Sequence, residues 1–227
     1  KNELELLNVW KDEIPVEVFT ETFAPPITDG SGNDRKNLLK AKEILEKEGW
    51  FVEDGKLVKD GKEFKFEFLI VSPSDEKIAL AYQSNLKKLG ITMDVRTVDS
   101  SQYQERLLSY DFDMIKRYWG VSLSPGNEQQ FYWGSEVGQK DGSRNYPGIN
   151  SPAVDALIEK LISATNREEL TTAIHALDRV LLWGHYVVPL YHSNKDRIAY
   201  WDFFEYPDEI PLYGIVIESW WINKDKQ

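Results

Sequence analysis

Phe64-Lys65-Phe66-Glu67-Phe68-Leu69-Ile70-Val71 is the stretch on which the fold turns. It begins by alternating apolar and charged residues and ends continuously apolar. That is the pattern of a strand whose far end is covered on both faces, as in a sheet flanked by helices. Beyond it, Ile78, Tyr82, Leu86 and Leu89 recur at helical spacing as far as Gly90. Ile91, Met93, Val95 and Thr97 alternate as a second strand, a short helix is predicted around Gln102–Ser109, and a third strand over Phe112–Tyr118. Strand, helix, strand, helix, strand with crossovers of this length favours parallel pairing in a right-handed βαβαβ unit.

Before this core, Asn33 or Asp34 can cap a helix that starts near Arg35 and carries Leu38, Ala41 and Leu45, with Gly49 as its stop. Asp54-Gly55 and Asp60-Gly61 read as turns of a short hairpin. Residues 1–32, punctuated by Pro15, Pro25, Pro26, Gly30 and Gly32, read as extended chain and loop. After the core, Trp119 to Pro152 reads as a long loop rich in Gly, Asn, Ser and aromatics, and loops of that length in a compact domain are usually functional. Val154, Leu157, Ile158, Leu161 and Ile162 mark one helix; Leu170, Ile174, Leu177 and Leu181 mark another. Val187–His192 reads as a buried strand. The last stretch lacks a helical period and carries Tyr200, Trp201, Phe203, Phe204, Tyr206, Tyr213, Trp220 and Trp221.

Composition bounds the function. The 227 residues leave room for one large domain or two small ones. A net charge of −11, from 38 acidic and 27 basic residues, argues against duplex DNA or an anionic membrane surface as main partner. Aromatics at 13% favour a folded chain. With no cysteine, disulfides, zinc–thiolate sites and cysteine nucleophiles are excluded. No apolar run is long enough to span a bilayer. The start, Lys1-Asn2-Glu3, has neither an initiator Met nor a signal peptide, and the chain reads as a processed or excised piece.

No motif nominates a catalyst. Gly120-Val121-Ser122-Leu123-Ser124 and Gly134-Ser135-Glu136-Val137-Gly138 both fail the nucleophile-elbow pattern. Neither phosphate-cradling nor dinucleotide glycine spacing is complete. His175, His185 and His192 lack zinc-protease spacing. His175 is expected on a helix flank, and His185 at a helix C-terminus, where the partial negative charge favours it. Asp111 and Asp113 flank Phe112, but the plainer reading puts Asp111 in a turn and has Asp113 bind a nearby backbone amide. No metal and no cofactor are expected.

The aromatic loop is the more informative feature. Tyr118-Trp119-Gly120 ends a central strand, and open α/β sheets bind ligands outside the carboxyl ends of their strands. Phe131-Tyr132-Trp133-Gly134 follows. Such rings suit an exposed recognition surface, or equally a satellite core beneath a long loop.

Several stretches resemble one family. They are Lys40-Ala41 through Leu45, Gly49 and Trp50; Leu86-Lys87-Lys88-Leu89-Gly90-Ile91; Tyr110-Asp111-Phe112-Asp113-Met114 leading to Trp119; Asn145-Tyr146-Pro147-Gly148-Ile149-Asn150-Ser151-Pro152 running into Ala153 through Ile158; and Val188-Pro189-Leu190-Tyr191. In order and spacing the chain resembles the C-terminal half of extracellular solute-binding proteins of family 5, the peptide receptors of ABC importers. Phe131-Tyr132-Trp133-Gly134-Ser135, Gly142-Ser143-Arg144-Asn145-Tyr146 and Tyr213-Gly214 through Trp220-Trp221 are similar to its Yej-type subgroup, associated with oligopeptide and microcin C uptake.

The resemblance implies an α/β lobe of the periplasmic-binding-protein type II kind, with a central, mostly parallel sheet flanked by helices. It implies that residues 1–194 form the C-terminal lobe and that 195–227 return to an N-terminal lobe that lies upstream. It implies a periplasmic receptor without catalysis, whose partners are an oligopeptide and an inner-membrane ABC permease. Tyr118, Trp119, Gly120, Ser122, Tyr132 and Trp133 are then the expected ligand-facing edge. Arg144 is a candidate for a peptide carboxylate, against a reading as a loop-stapling ion pair. In the dipeptide and oligopeptide receptors an aspartate after the tryptophan holds the ligand ammonium. Here that position is Ser122, which suits a formylated or otherwise blocked peptide, with Glu128 or Glu136 as replacement anchors. A secreted carbohydrate-active enzyme and a family 5 receptor for a sugar or nickel are the competing readings.

Overall fold

The computed structural model describes residues 2–32, 34–120, 122–190, 193, 195–212 and 214–226, without the side chain of residue 139. The chain divides into two compact units, residues 1–186 and 187–227.

The first unit opens with two short helices, α1 (Asn2–Leu7) and α2 (Glu17–Thr20), where extended chain was expected. Leu7 and Val18 are fully buried, and Ile14 nearly so, in one cluster with later helices. Elements of 6 and 4 residues show no period in sequence. Tertiary burial, not intrinsic propensity, holds them helical.

Helix α3 (Arg35–Lys47) starts on Asp34, whose carboxylate accepts the amide of Asn37. Next come β1 (Phe51–Glu53), β2 (Lys56–Lys59) and β3 (Lys62–Glu63), an antiparallel meander rather than a single hairpin. Asp54 and Gly55, then Asp60 and Gly61, all have positive φ. Both turns therefore bend with the twist of their strands, the reason Asp-Gly is favoured there.

The α/β core follows as β4 (Lys65–Ile70), α4 (Pro73–Lys87), β5 (Thr92–Thr97), α5 (Ser100–Leu108) and β6 (Met114–Ile115). All pairing is parallel, in the order β5-β4-β6. Alternation along β4 sends Phe68 and Ile70 to a cluster with Ala79 and Leu86 of α4. It sends Leu69 to another with Tyr103 and Leu107 of α5. The two helices thus cover opposite faces. The expected third strand shrinks at both ends to Met114–Ile115; at its start the Glu67 amide is taken by the Asp113 carboxylate at 2.8 Å instead of by a main-chain carbonyl.

Within the long loop lies one further helix, α6 (Glu128–Trp133). Then α7 (Pro152–Ile162) and α8 (Arg167–Trp183) start on Ser151 and Asn166, each accepting a backbone amide three residues on. Their apolar stripes meet in the cluster that also buries Leu7 and Val18. His185, just past α8, adopts positive φ, and its ring packs against both Phe23 and Trp183, which also touch each other.

In the second unit, β7 (Phe204–Glu205) pairs with β8 (Trp221–Ile222) antiparallel. The buried strand expected at 187–192 is not seen over the described positions. Val187, Val188 and Leu190 are exposed and join no ladder, so nothing there repays an extended backbone; Tyr191 and His192 lie outside the described residues. No helix among the described residues is long and apolar enough to cross a membrane.

Candidate functional site

In the order β5-β4-β6 the chain leaves β4 toward one side and returns on the other. That makes the carboxyl ends of β4 and β6 a topological switch point, where helices diverge and open α/β sheets receive ligands. The residues just past β6 are Lys116, Arg117, Tyr118, Trp119 and Gly120.

Alternation continues through them. Lys116 turns toward α4 and pairs with Asp75 in its first turn, both side chains largely buried. The hydrogen bond to Asp75 outweighs desolvation and raises the lysine pKa above its ordinary value. The Lys116 ammonium also lies 5.3 Å from the ring centre of Tyr118, which is itself 79% exposed. Arg117 turns the other way. Its guanidinium sits 4.9 Å from the centre of the Tyr146 ring and donates to the Tyr146 hydroxyl at 3.1 Å.

Trp119 and Trp133 pack with ring centres 5.1 Å apart. The Trp119 Nε1 is buried and has no hydrogen-bond partner among the described residues. The Trp133 Nε1 donates to Gln129, and its ring joins the helical core. Tyr132 is buried, and its hydroxyl donates to the Gly120 carbonyl at 2.9 Å, tying the strand end to α6. Trp119, Gly120, Tyr132 and Trp133 therefore form one cluster, and only Tyr118 offers a largely free face.

Ser122 is exposed, and its hydroxyl donates to the Ser124 carbonyl at 2.6 Å. Glu128 accepts from the Gly126 amide at 2.9 Å and from Gln129. Glu136 pairs with Lys140. Arg144 is exposed, with no hydrogen bond or ion pair among the described residues. Val121 lies outside the described residues.

The loop between is built rather than slack. Asn145, fully buried, donates to the carbonyls of Gly134 and Ile149 and accepts the Ile149 amide. Asp155 of α7 accepts the Ser135 amide, and the Ser135 hydroxyl accepts that of Ser151. This framework carries Tyr146, whose ring also meets Tyr110 and Phe112.

Sequence reasoning missed the Asp75–Lys116 pair and the seat of Arg117 on Tyr146. The strand alternation through residue 117 was a usable signal for both, but their partners lie 41 and 29 residues away. Asp113 and Asp111 behave as the plainer reading has it: the first binds the Glu67 amide, and the second closes a turn by accepting from Arg106. His175 lies within 3.1 Å of Glu3. Among the described residues no three His, Asp or Glu gather as a metal site. Two shallow grooves lie away from this edge. One, of about 670 Å³, is lined by α1 and the α7–α8 turn; the other, of about 530 Å³, by α6 and α7.

The family model "Bacterial extracellular solute-binding proteins, family 5 Middle" matches residues 13–141, more than half of the chain. "Uncharacterized protein y4wM" of Sinorhizobium fredii is 49% identical over 96% of this chain and 34% of its own length. "Probable peptide-binding protein YejA" of Agrobacterium fabrum is 42% identical over 98% of this chain and 37% of its own. The chain thus spans about a third of the length of the curated relatives it matches. Among solved structures, the oligopeptide-binding protein AppA of Bacillus subtilis, in complex with a nonapeptide, superposes with a TM-score of 0.60 at 24% identity, over 82% of this chain and 38% of that one. That likeness carries the fold, the α/β architecture of type II periplasmic binding proteins. With its open switch-point edge and parallel β5-β4-β6 sheet, this chain belongs to the bacterial extracellular solute-binding proteins of family 5.

Proposed function

We propose that this chain is part of the substrate-binding component of an ABC importer, capturing oligopeptides, microcin C-like peptides among them, without chemistry. It acts in the periplasm and delivers its ligand to an inner-membrane permease. The observation that carries the reading is the open edge past β6. Exposed Tyr118 and half-buried Trp119 stand there, the latter packed on Trp133. Such an edge is what one half of a two-lobed cleft needs, since closure of a second lobe supplies the missing wall and excludes water. The name carried by the Agrobacterium relative and the nonapeptide bound to AppA support a peptide as ligand.

In this reading residues 1–194 are one lobe, and 195–227 return to an N-terminal lobe of the same longer chain. The exposed apolar side chains of the second unit, Trp201, Leu212 and Ile217 among them, are what such a return would cover. Trp119, Gly120 and Tyr118 face the ligand, with Ser122, Tyr132, Trp133 and Arg144 beside or behind them. Ser122 has no charge to hold an ammonium, and its hydroxyl is engaged with Ser124. Glu128 and Glu136 are engaged as well. The edge therefore favours a blocked amino terminus.

The test is calorimetry on the full-length receptor with one peptide in free-amine and N-formylated forms. The formylated form should bind at least as tightly; a strong preference for the free amine sinks the blocked-terminus reading. Release of sugar from an oligosaccharide would point to an enzyme instead, and tight oligosaccharide binding without hydrolysis to a different solute.

A further inference from the structure

We propose that Tyr110 is a positioning residue: its backbone is held in a disfavoured conformation so that its side chain can strap the 142–146 loop to the end of α5 and keep the two sides of the ligand edge in register. The proposal rests on the peptide reading above and names what shapes that edge before a ligand arrives. The first unit has separate cores on the two sides of the edge. Leu69, Tyr103 and Leu107 lie in one, on the sheet side; Ile149, Val154 and Leu157 lie in another, among the helices. The loop before α7 runs between them, with Ile149 buried in the helical core and Tyr146 packed on the sheet-side one. The edge past β6 falls where the two sides meet, since Trp119 packs on Trp133 and the Tyr132 hydroxyl reaches the Gly120 carbonyl.

Helix α5 ends in a Schellman arrangement. The Asp111 amide donates to the Arg106 carbonyl at 2.9 Å, and the Tyr110 amide to that of Leu107 at 3.4 Å. Tyr110 itself takes φ +55°, the left-handed region that glycine enters freely and a Cβ opposes. The turns after α3 and α4 put Gly49 and Gly90 in that region instead. A tyrosine there gives up stability at the helix end, so its side chain must return something. Its hydroxyl shares a hydrogen bond with the Ser143 hydroxyl, and its ring meets Tyr146 at 6.2 Å and Phe112 at 6.1 Å. A second stitch joins the same elements, the Gly142 amide donating to the Leu108 carbonyl at 2.8 Å. The Ser143 oxygen also receives the Asn145 amide at 3.4 Å, and Asn145 in turn holds Gly134 and Ile149. One pair of hydroxyls thus links the end of α5 to the buried polar frame of the loop. A loop held this way loses little freedom when a ligand arrives beside it.

The experiment uses the full-length receptor and three readouts: amide hydrogen exchange without ligand, the urea midpoint, and the affinity for the tetrapeptide that wild type retains best from an equimolar library. Tyr110→Gly should speed exchange of the Gly142 amide about 10-fold and leave that of Ile149, which Asn145 holds, as slow as in wild type. Its urea midpoint should stay close to wild type, because relief of the backbone offsets the lost ring contacts. Its peptide affinity should nevertheless fall about 10-fold. That split between affinity and stability is what a merely structural role would not give. Tyr110→Phe and Ser143→Ala should each weaken binding about 3- to 10-fold, and the double variant no further than Ser143→Ala alone, since all three remove the same bond. Unchanged exchange at Gly142 in Tyr110→Gly overturns the strap. Faster exchange with unchanged affinity, or affinity and urea midpoint falling together, overturns the positioning role and leaves the peptide reading standing. Retention of no peptide by wild type overturns the peptide reading and with it the binding role of Tyr110.

Discussion

Helices α7 and α8 and the segment after residue 186 are made of similarly apolar material and end in opposite states. On α7, Ala153, Val154, Leu157, Ile158 and Leu161 are buried, and on α8 Ala173, Ala176, Leu177 and Val180. In 187–227 not one described residue is buried, and Trp201, Leu212 and Ile217 stand more than two-thirds exposed. The rings there touch one another: Tyr200 and Tyr206 each lie about 5 Å from Trp220, and Trp201 stacks on Phe203. The difference is one of spacing. Helical recurrence puts Ala153, Val154, Leu157, Ile158 and Leu161 of α7 on one stripe, which packs against α8. Neighbouring aromatics such as Phe203 and Phe204, with ring centres 4.6 Å apart, pack on each other, and a two-stranded pair has no second layer to cover them.

The sharpest way to break this comparison is in α7. Leu157→Ala, at a position 1% exposed, should cost about 2–5 kcal/mol by transfer loss and cavity together. Urea unfolding measures it, and a cost below ~1 kcal/mol would mean the α7–α8 seam is not the core it looks to be. Asn145→Ala comes next. It strands the Ile149 amide and the carbonyls of Gly134 and Ile149, at about 3 kcal/mol in the same assay. Gly138→Ala should act the same way, since its new methyl would stand 2.6 Å from the Asn145 amide nitrogen.

A smaller effect belongs to the switch point. Asp75→Asn leaves Lys116 charged without its counter-ion and should cost about 2 kcal/mol, more than Lys116→Met, which removes the buried charge itself. The lysine pKa is raised in the fold above its ordinary 10.5. Its contribution is therefore complete below the unfolded value and fades as pH climbs through the folded one. Stability measured from pH 9 upward should fall more steeply in wild type than in Lys116→Met. The smallest effect is in the second unit. Trp201→Ala should change the stability of this chain by less than about 0.5 kcal/mol. In the full-length receptor the cost should be clearly larger, and equal costs in both would argue against coverage by another lobe.

How far the sequence carried depended on range. α3, β4, α4 and β5 were legible because their signals are local: Asp34 at the head of α3, alternation in Phe64–Phe68, and glycines at positive φ in Gly49 and Gly90. The Asp-Gly turns were legible for the same reason. α1 and α2 were not, since what makes them helical is Leu7 and Val18 reaching a cluster more than 130 residues away. Val187–Leu190 misled because an apolar run says nothing about whether a partner strand exists. At the site, the sequence put Tyr118 and Trp119 at the end of a central strand, whereas β6 is an edge strand of the order β5-β4-β6 and ends three residues before Tyr118. The burial of Tyr132 and the pairing of Lys116 were not legible, because each depends on a partner brought near only by folding.

By itself the sequence determined the α/β order, the cap of α3, the Asp-Gly turns, the absence of any cysteine chemistry and the family. These rest on residue type and on spacings within a few turns of chain. Only the tertiary structure decided that β4 lies between β5 and β6, and so where the switch point falls. It alone settled which of two neighbouring cations is neutralised and which aromatics face outward. Strand order, ion pairing and burial are set by contacts across tens of residues, where the geometry of packing rather than local preference selects the partner.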